Sequence, residues 1–449
     1  MAIQIVKQID FYTTRQDSDY MIRSVIASWT LFFGLLMISA GGGLQNVLLG
    51  TRAPEIGFSN IATGFVMSGY FVGIFFGSII VPNILAGVGH VRVFGAMSAI
   101  ASAAILMHVA LSHPVLWALM RLASGFGFAG MYIVCESWLN DKATNDTRGQ
   151  LLSLYMIINI GGMGLGQLMI GLGESDGVGL FLMTSVMVSI AVVPILITVN
   201  AAPNFEAPDR LGFRRLIQVS PLSVVGMAVC GLIISMLFGM GPVYGLSLGL
   251  NNTEIGYFMT SIMVGTLLLQ YPVGRLSDHF DRRVVILGAA FTGALCISIA
   301  SFFDAGQFVP LLIFTMIFGG LIFSLYSLFI AHANDFLPPS QMVAMSSGLL
   351  MVNGAGAVFG SPFAATIIEV FGSQSFMPTI ATILVGLSLF ILIRMRLRDS
   401  VPNEAQGPFV AFPKNLTGVA TGLNPEAEWT DIVEDDVAND PFKDNPYVN

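Results

Sequence analysis

Residues 274–283 read GRLSDHFDRR, and seven of the ten are Arg, Ser, Asp or His. The stretch lies between IGYFMTSIMVGTLLLQYPV and VVILGAAFTGALCISIASFF, two runs with almost no charge. A helix needs about 20 mostly apolar residues to cross a bilayer, so a dense charge cluster between two such runs reads as a short loop between spans. Composition agrees: 55% of the 449 residues are hydrophobic and 10% charged, with a mean hydropathy of +0.79. Soluble domains carry about 25% charged residues. Too little charge is left to cover a water-facing surface, and the chain reads as an all-α integral membrane protein.

Working outward from the decapeptide, apolar runs occur at roughly 25–48, 59–82, 91–111, 115–139, 149–171 and 178–199. After a polar stretch, six more follow at roughly 221–244, 255–273, 284–303, 309–333, 342–370 and 376–395. The expected organisation is an N-terminal segment (1–24), a six-helix bundle (25–200), a linker (201–220), a second six-helix bundle (221–398) and an acidic tail (399–449). With the N-terminus inside, 17 of the 19 Lys and Arg fall on the inner side, Arg52 lies outside and Arg121 lies within a span. The positive-inside rule therefore places both termini in the cytoplasm.

The net charge of −8 is local. From Asp399 onward the tail holds ten acids and two lysines, and the rest of the chain is balanced. The tail reads as a disordered acidic cytoplasmic extension. Cys135, Cys230 and Cys296 each sit inside an apolar run, so neither a disulfide framework nor a metal-binding spacing is present. The polar N-terminus lacks the pattern of a cleavable signal peptide.

The two halves repeat each other. A shift of 192 pairs Gly57 with Gly249, Asn60 with Asn252, Gly64 with Gly256 and Gly73 with Gly265. A shift of 194 pairs Gly125 with Gly319, Tyr132 with Tyr326, Asn140 with Asn334, Asp141 with Asp335, Asn159 with Asn353 and Gly166 with Gly360. Six spans separate the copies, so both keep one orientation. This is a parallel repeat around an axis along the membrane normal.

Within the decapeptide, a helical continuation of span 8 would set Arg275, Asp278 and Arg282 one turn apart, with Gly274 leaving room for a neighbouring helix. Gly274, Leu276, Asp278, Arg282 and Arg283 stand in the order G-x-L-x-D-x-x-x-R-R, which resembles the signature loop of the major facilitator superfamily. Arg121-Leu-Ala-Ser-Gly125-Phe-Gly127 is similar to that family's span-4 motif, with Ser124 where Gln is usual. Glu136-Ser-Trp-Leu-Asn-Asp141, followed by Arg148-Gly149 and a Gly-rich span 5, resembles a bacterial, YcaD-like branch. The resemblance implies twelve transmembrane helices in two six-helix bundles and transport across the inner membrane by alternating access. There are two departures. Ala86 replaces the signature acid in the first half, in the stretch that ends at His90 and Arg92, and span 5 lacks the proline of the drug-antiporter motif.

Ionisable groups inside the bilayer are costly and mark function. Arg121 is expected about 9 Å below the outer end of span 4, as a cavity-facing group or a snorkelling one. Glu136, at the inner end of that span, is expected in a gating contact with Arg92 or His90. Gly274, Arg275, Asp278, Arg282 and Arg283 form the expected gate on the signature loop, with Asp278 locking one state. Arg121, Asn159, Asn353, Tyr132 and Tyr326 are the candidates for solute or coupling. His108 and His332 read as packing residues, and the asparagines read equally well as glue between helices. Paired aspartates, a Ser/Lys or Ser/His pair and HExxH are missing from the spans, which argues against an intramembrane enzyme. The expected partners are the bilayer, a small solute and protons as the candidate coupling ion. A monomer is expected, and nothing points to nucleic acid, metal or cofactor. An uncoupled facilitator, or a receptor signalling through the tail, is the alternative.

Overall fold

The computed structural model describes residues 29–144, 147–173, 177–197, 211–398, 400–402, 406–412 and 417–424. Twelve long helices are present among them. The first six are α1 (Trp29–Glu55), α2 (Asn60–Val88), α3 (His90–Ala110), α4 (Pro114–Lys142), α5 (Arg148–Leu168) and α6 (Val178–Ile197). A short linker helix, Phe213–Val219, leads to α7 (Pro221–Ser247), α8 (Asn252–His279) and α9 (Arg282–Ala300). The last three are α10 (Phe308–Asn334), α11 (Pro339–Phe371) and α12 (Phe376–Leu397). Eleven are long and apolar enough to cross a membrane. The other, α8, is 28 residues long and carries the polar decapeptide at its end.

The helix starts are written locally. Ser59 accepts a hydrogen bond from the Ala62 N–H to open α2, and Asn251 with Glu254 forms a capping box on α8. The turns before these two helices both need left-handed backbone, at Gly57 (φ 87°) and Gly249 (φ 80°). An L side chain is strained there, which gives this repeated glycine pair its physical reason.

Inside each half the repeated glycines sit where helices cross. Gly73 and Gly125 bring α2 and α4 together, packing on Leu122 and Tyr70 backbone, and Gly265 and Gly319 do the same for α8 and α10 on Met316 and Ile262. Gly166 packs on Ala40 of α1 as Gly360 packs on Leu232 of α7. In a bilayer, helices associate through close packing of this kind, because lipid is as apolar as Leu and gives no hydrophobic drive.

The halves meet toward the end away from residues 274–283, called here the far end. Asn46 of α1 donates to the Phe238 carbonyl of α7 (2.6 Å), Asn60 of α2 to Glu369 of α11 (2.9 Å), and Thr260 of α8 to the Gly164 carbonyl of α5 (3.0 Å). The repeat exchanges α2 with α8 and α5 with α11. The α2–α11 and α5–α8 contacts are thus the same contact made twice around a two-fold axis.

Two expectations change at the near end. The decapeptide is not one continuous helix: Phe280 is extended (φ −122°, ψ 163°) and Asp281 caps α9 through the Arg283 N–H. Arg282 therefore comes near Asp278 around a corner, at 3.8 Å, instead of along a helix face. The tail is also more than a free acidic extension, because residues 406–412 and 417–424 pack into the near end, with Phe412, Val419 and Leu423 buried. The N-terminal segment 1–24 and residues 425–449 lie outside the described residues.

Candidate functional site: a cavity between the halves

A cavity of about 80 Å³ lies between the two halves. Its lining includes Asn46 of α1, Tyr70, Phe75 and Ser78 of α2, Tyr132 of α4, Phe238 of α7, Tyr326 of α10, and Ser347 and Asn353 of α11. Thr417 and Gly418 of the tail complete it. Aromatic rings and amides from both halves, without a charged side chain in the wall, suit a largely apolar solute oriented by a few polar groups.

A charge lies one layer behind. The Arg121 side chain is 1% exposed, which excludes snorkelling to a surface. Its Nη2 donates to Asn46 Oδ1 (3.0 Å), and the guanidinium sits 4.6 Å from the centre of the Tyr70 ring. Both partners line the cavity, which puts the charge one residue behind its wall. Its Nε has no hydrogen-bond partner among the described residues, and no ion pair involving Arg121 occurs among them. Guanidinium does not lose its proton at accessible pH, so a fixed positive charge is buried here.

The repeated candidates divide. Tyr132 and Tyr326, one from each half, both line the cavity, and the Tyr326 hydroxyl has no hydrogen-bond partner among the described residues. Asn353 donates to the Met227 carbonyl of α7 (3.0 Å) and also lines the cavity. Asn159 donates to Ser39 of α1 (3.2 Å) and is fully buried between helices. It is glue in the geometric sense, while Asn353 is glue with an open face. His108 bonds to the Ala104 carbonyl (2.7 Å) and packs on Trp117, and His332 packs on Phe336.

At the near end, the gate candidates do not form one cluster. Arg282 is buried and pairs with Asp335 at 2.5 Å. Burial lifts the Asp335 carboxyl to about 6, although Arg282 and the Gly407 N–H pull it down. In the first half the equivalent corner holds a different pair, His90 with Ser137 at 2.8 Å. Arg283 pairs with Asp281 (2.9 Å). Burial pushes the Asp281 carboxyl up, but its hydrogen bonds from Arg283 outweigh this and leave it below the usual range. Arg275 lies 5.9 Å from the Tyr271 ring centre, and Arg92 is exposed on α3. Glu136 is fully buried and accepts hydrogen bonds from the Tyr155 hydroxyl (2.7 Å) and from the Thr417 N–H (3.2 Å) and hydroxyl. The expected contact with Arg92 is not made.

Asn46, Tyr70, Phe238 and Thr417 were not among the expected site residues. A signal for Asn46 existed: Gln45-Asn46 is an amide pair inside the otherwise apolar span 1.

The family model described as Major Facilitator Superfamily matches residues 31–251 and again 223–438, one match per half. The chain belongs to the Major Facilitator Superfamily. Among its superfamily relatives is the MFS-type transporter YcaD of Salmonella newport (strain SL254), 27% identical over 372 residues that cover 82% of this chain and 95% of the relative. YcaD of Escherichia coli O45:K1 matches with the same identity and coverage. The solved structure of the nucleoside transporter NupG superposes with a TM-score of 0.70 at 13% identity, over 82% of this chain and 99% of that one. A bacterial homologue of the lysosomal transporter Spinster, inward-facing and occupied, gives a TM-score of 0.65 at 15% identity, over 83% and 97% of the two chains. At these identities the two structures speak for the fold alone. This superfamily member is a multi-pass membrane transporter of a small solute and not an enzyme.

Proposed function

We propose that this transporter moves a small, weakly anionic and largely apolar solute by alternating access. The observation that carries the reading is the cavity itself. It lies between two repeat-related halves, is closed at the far end by helix contacts, and is backed by a buried arginine with no ion pair among the described residues. A solute anion would supply the missing counter-charge, felt through Asn46 and Tyr70, while Tyr132, Tyr326 and Phe238 hold its apolar body. A buried ion without a partner is costly, and that cost is the driving force for admitting an anion.

In this reading the near end faces the cytoplasm, both termini lie inside, and the protein sits in the inner membrane as a monomer. Glu136 is the candidate proton carrier, because it is a buried carboxylate bonded to Thr417 of the cavity wall; Asp278 with Arg282, 3.8 Å away, is the candidate gate. The reading is tested in vesicles holding the full-length protein, with weak organic acids, nucleosides, amino acids and lipophilic cations as separate arms and a pH gradient imposed or absent. Uptake of an organic acid that rises with the gradient is expected. The same uptake without any gradient dependence would make the protein a facilitator, and flux of the cations alone would overturn the anion reading.

A further inference from the structure

The near-end mouth of the cavity is filled by the chain's own C-terminal segment. On the second half, the Gly407 N–H donates to Asp335 (3.2 Å) while Arg282 donates to the Gly407 carbonyl (2.5 Å). The Phe409 N–H donates to Asp278 (2.8 Å), and the Phe409 ring occupies the space that the missing side chain of Gly274 leaves free. The Phe412 N–H donates to Ser327 (3.0 Å), and Gln270 donates to the Phe412 carbonyl (3.3 Å). On the first half, Thr417 bonds to Glu136 through its N–H and hydroxyl, and Asn140 donates to the Val419 carbonyl (2.5 Å). Residues 406–412 bond to the second half and 417–424 to both, Thr421 donating to the Val343 carbonyl of α11 (3.4 Å), and Thr417 with Gly418 forms part of the cavity wall.

Three features show a fitted seat. The segment's apolar side chains Phe412, Val419 and Leu423 are buried to the degree of core residues. Its backbone polar groups meet side chains of both halves, Asp335, Ser327, Gln270 and Glu136, and a buried carboxylate such as Glu136 needs donors of this kind. It also engages Gly274, Asp278 and Arg282, three residues of the signature loop, while Arg282 stays paired with Asp335. The halves already touch at the far end, so the reverse conformation must bring them together at the near end, where this segment now sits.

We propose that residues 406–412 and 417–424 are an autoinhibitory plug: seated between the halves, they bar the near-end path to the cavity and hold the far-end-closed state, and the transport cycle requires their withdrawal. Glu136 and Asp278 are then the two latch points, one on each half. For its effect on flux the proposal rests on the transport reading above, but the plug itself can be tested without any substrate.

The test uses a chain whose three native cysteines are replaced, with Ser347→Cys as the only thiol. Ser347 lines the cavity and is buried in the plugged state. Labelling by a water-soluble thiol reagent is followed in three proteins: full length, truncated after residue 398, and full length with Val419→Asp. The point variant serves if truncation harms folding, and both are checked for a monodisperse elution profile. Loss of one net buried hydrogen bond's worth of seating shifts the seating equilibrium roughly fivefold, so labelling is expected to quicken at least that much in both variants. A synthetic peptide spanning 400–424, added to the truncated protein, is expected to slow it again. Equal labelling rates in all three proteins would overturn the plug, whatever the outcome of the flux assays. Fast labelling that the peptide fails to slow would overturn it as well, since the segment would then act only through the fold.

Discussion

Arg121 offers the sharpest separation between a structural and a functional role. Its hydrogen bond to Asn46 is charge-assisted, worth about 1.5–3 kcal/mol, and the desolvated contact with the Tyr70 ring adds about 2 kcal/mol. Against these stands the cost of a buried charge, several kcal/mol per ion after relaxation, with no carboxylate partner among the described residues to offset it. The terms nearly cancel, so Arg121→Ala is expected to change the stability of the solute-free protein by less than about 2 kcal/mol. Binding of an anionic solute loses the counter-charge instead. Arg121 stands one residue behind the cavity wall, so what is lost is a charge–charge attraction across about 7 Å, worth about 2.4 kcal/mol at an effective dielectric of about 20, and affinity should fall roughly 50-fold. Arg121→Lys keeps the charge but loses the planar fork that engages Asn46 and Tyr70 together, and should be severely impaired in transport without being silent. Thermal unfolding of the detergent-solubilised protein gives the first quantity, and titration with the transported organic acid gives the second. A large loss of stability with unchanged affinity would refute the reasoning, as would near-normal transport in both variants.

Other expectations follow from the near end. In a cysteine-free background, Asn251→Cys should react with an impermeant reagent from outside the cell and His279→Cys should not; the reverse would overturn the orientation. In the chain truncated after residue 398, which has no plug to latch, Asp278→Asn should cut turnover while leaving solute affinity close to wild type, as the proposed gate role requires; wild-type flux would remove it from the gate. Asp335 sits at about 6, above its ordinary 3.8, through burial. Its contribution to stability is therefore fully present below about pH 3.8 and lost as pH rises to about 6, and Asp335→Asn should flatten the fall in melting temperature between about pH 4 and pH 6. Identical slopes in the two proteins would contradict that assignment.

Much of the fold was legible because the bilayer imposes length and hydropathy on every span, and because the repeated glycines are required by helix crossings and left-handed turns. Gly57 with Gly249, and Gly125 with Gly319, carry that signal directly. The end of α8 was less legible, since the helix runs on through polar residues to His279 before Phe280 breaks it. The tail misled for a compositional reason. Its acids are concentrated from Glu426 onward, whereas 406–424 contains no acid and includes Phe409, Phe412, Val419 and Leu423. Read as one block, the charge hid an apolar segment able to pack. Arg121 was recognisable as a deep charge, but its action through Asn46 and Tyr70 depends on how α1, α2 and α4 pack, which no spacing within one helix reveals.

Alternating access requires the two halves to rock about the cavity, with the far end parting in each cycle. Asn60 of α2 and Glu369 of α11 bridge that end at 2.9 Å. Cysteines at these two positions, in a chain without the native three, can be joined by a reducible bifunctional thiol reagent in vesicles that show flux. Complete joining is expected to stop solute flux, and reduction to restore it; undiminished flux through fully joined protein would contradict alternating access.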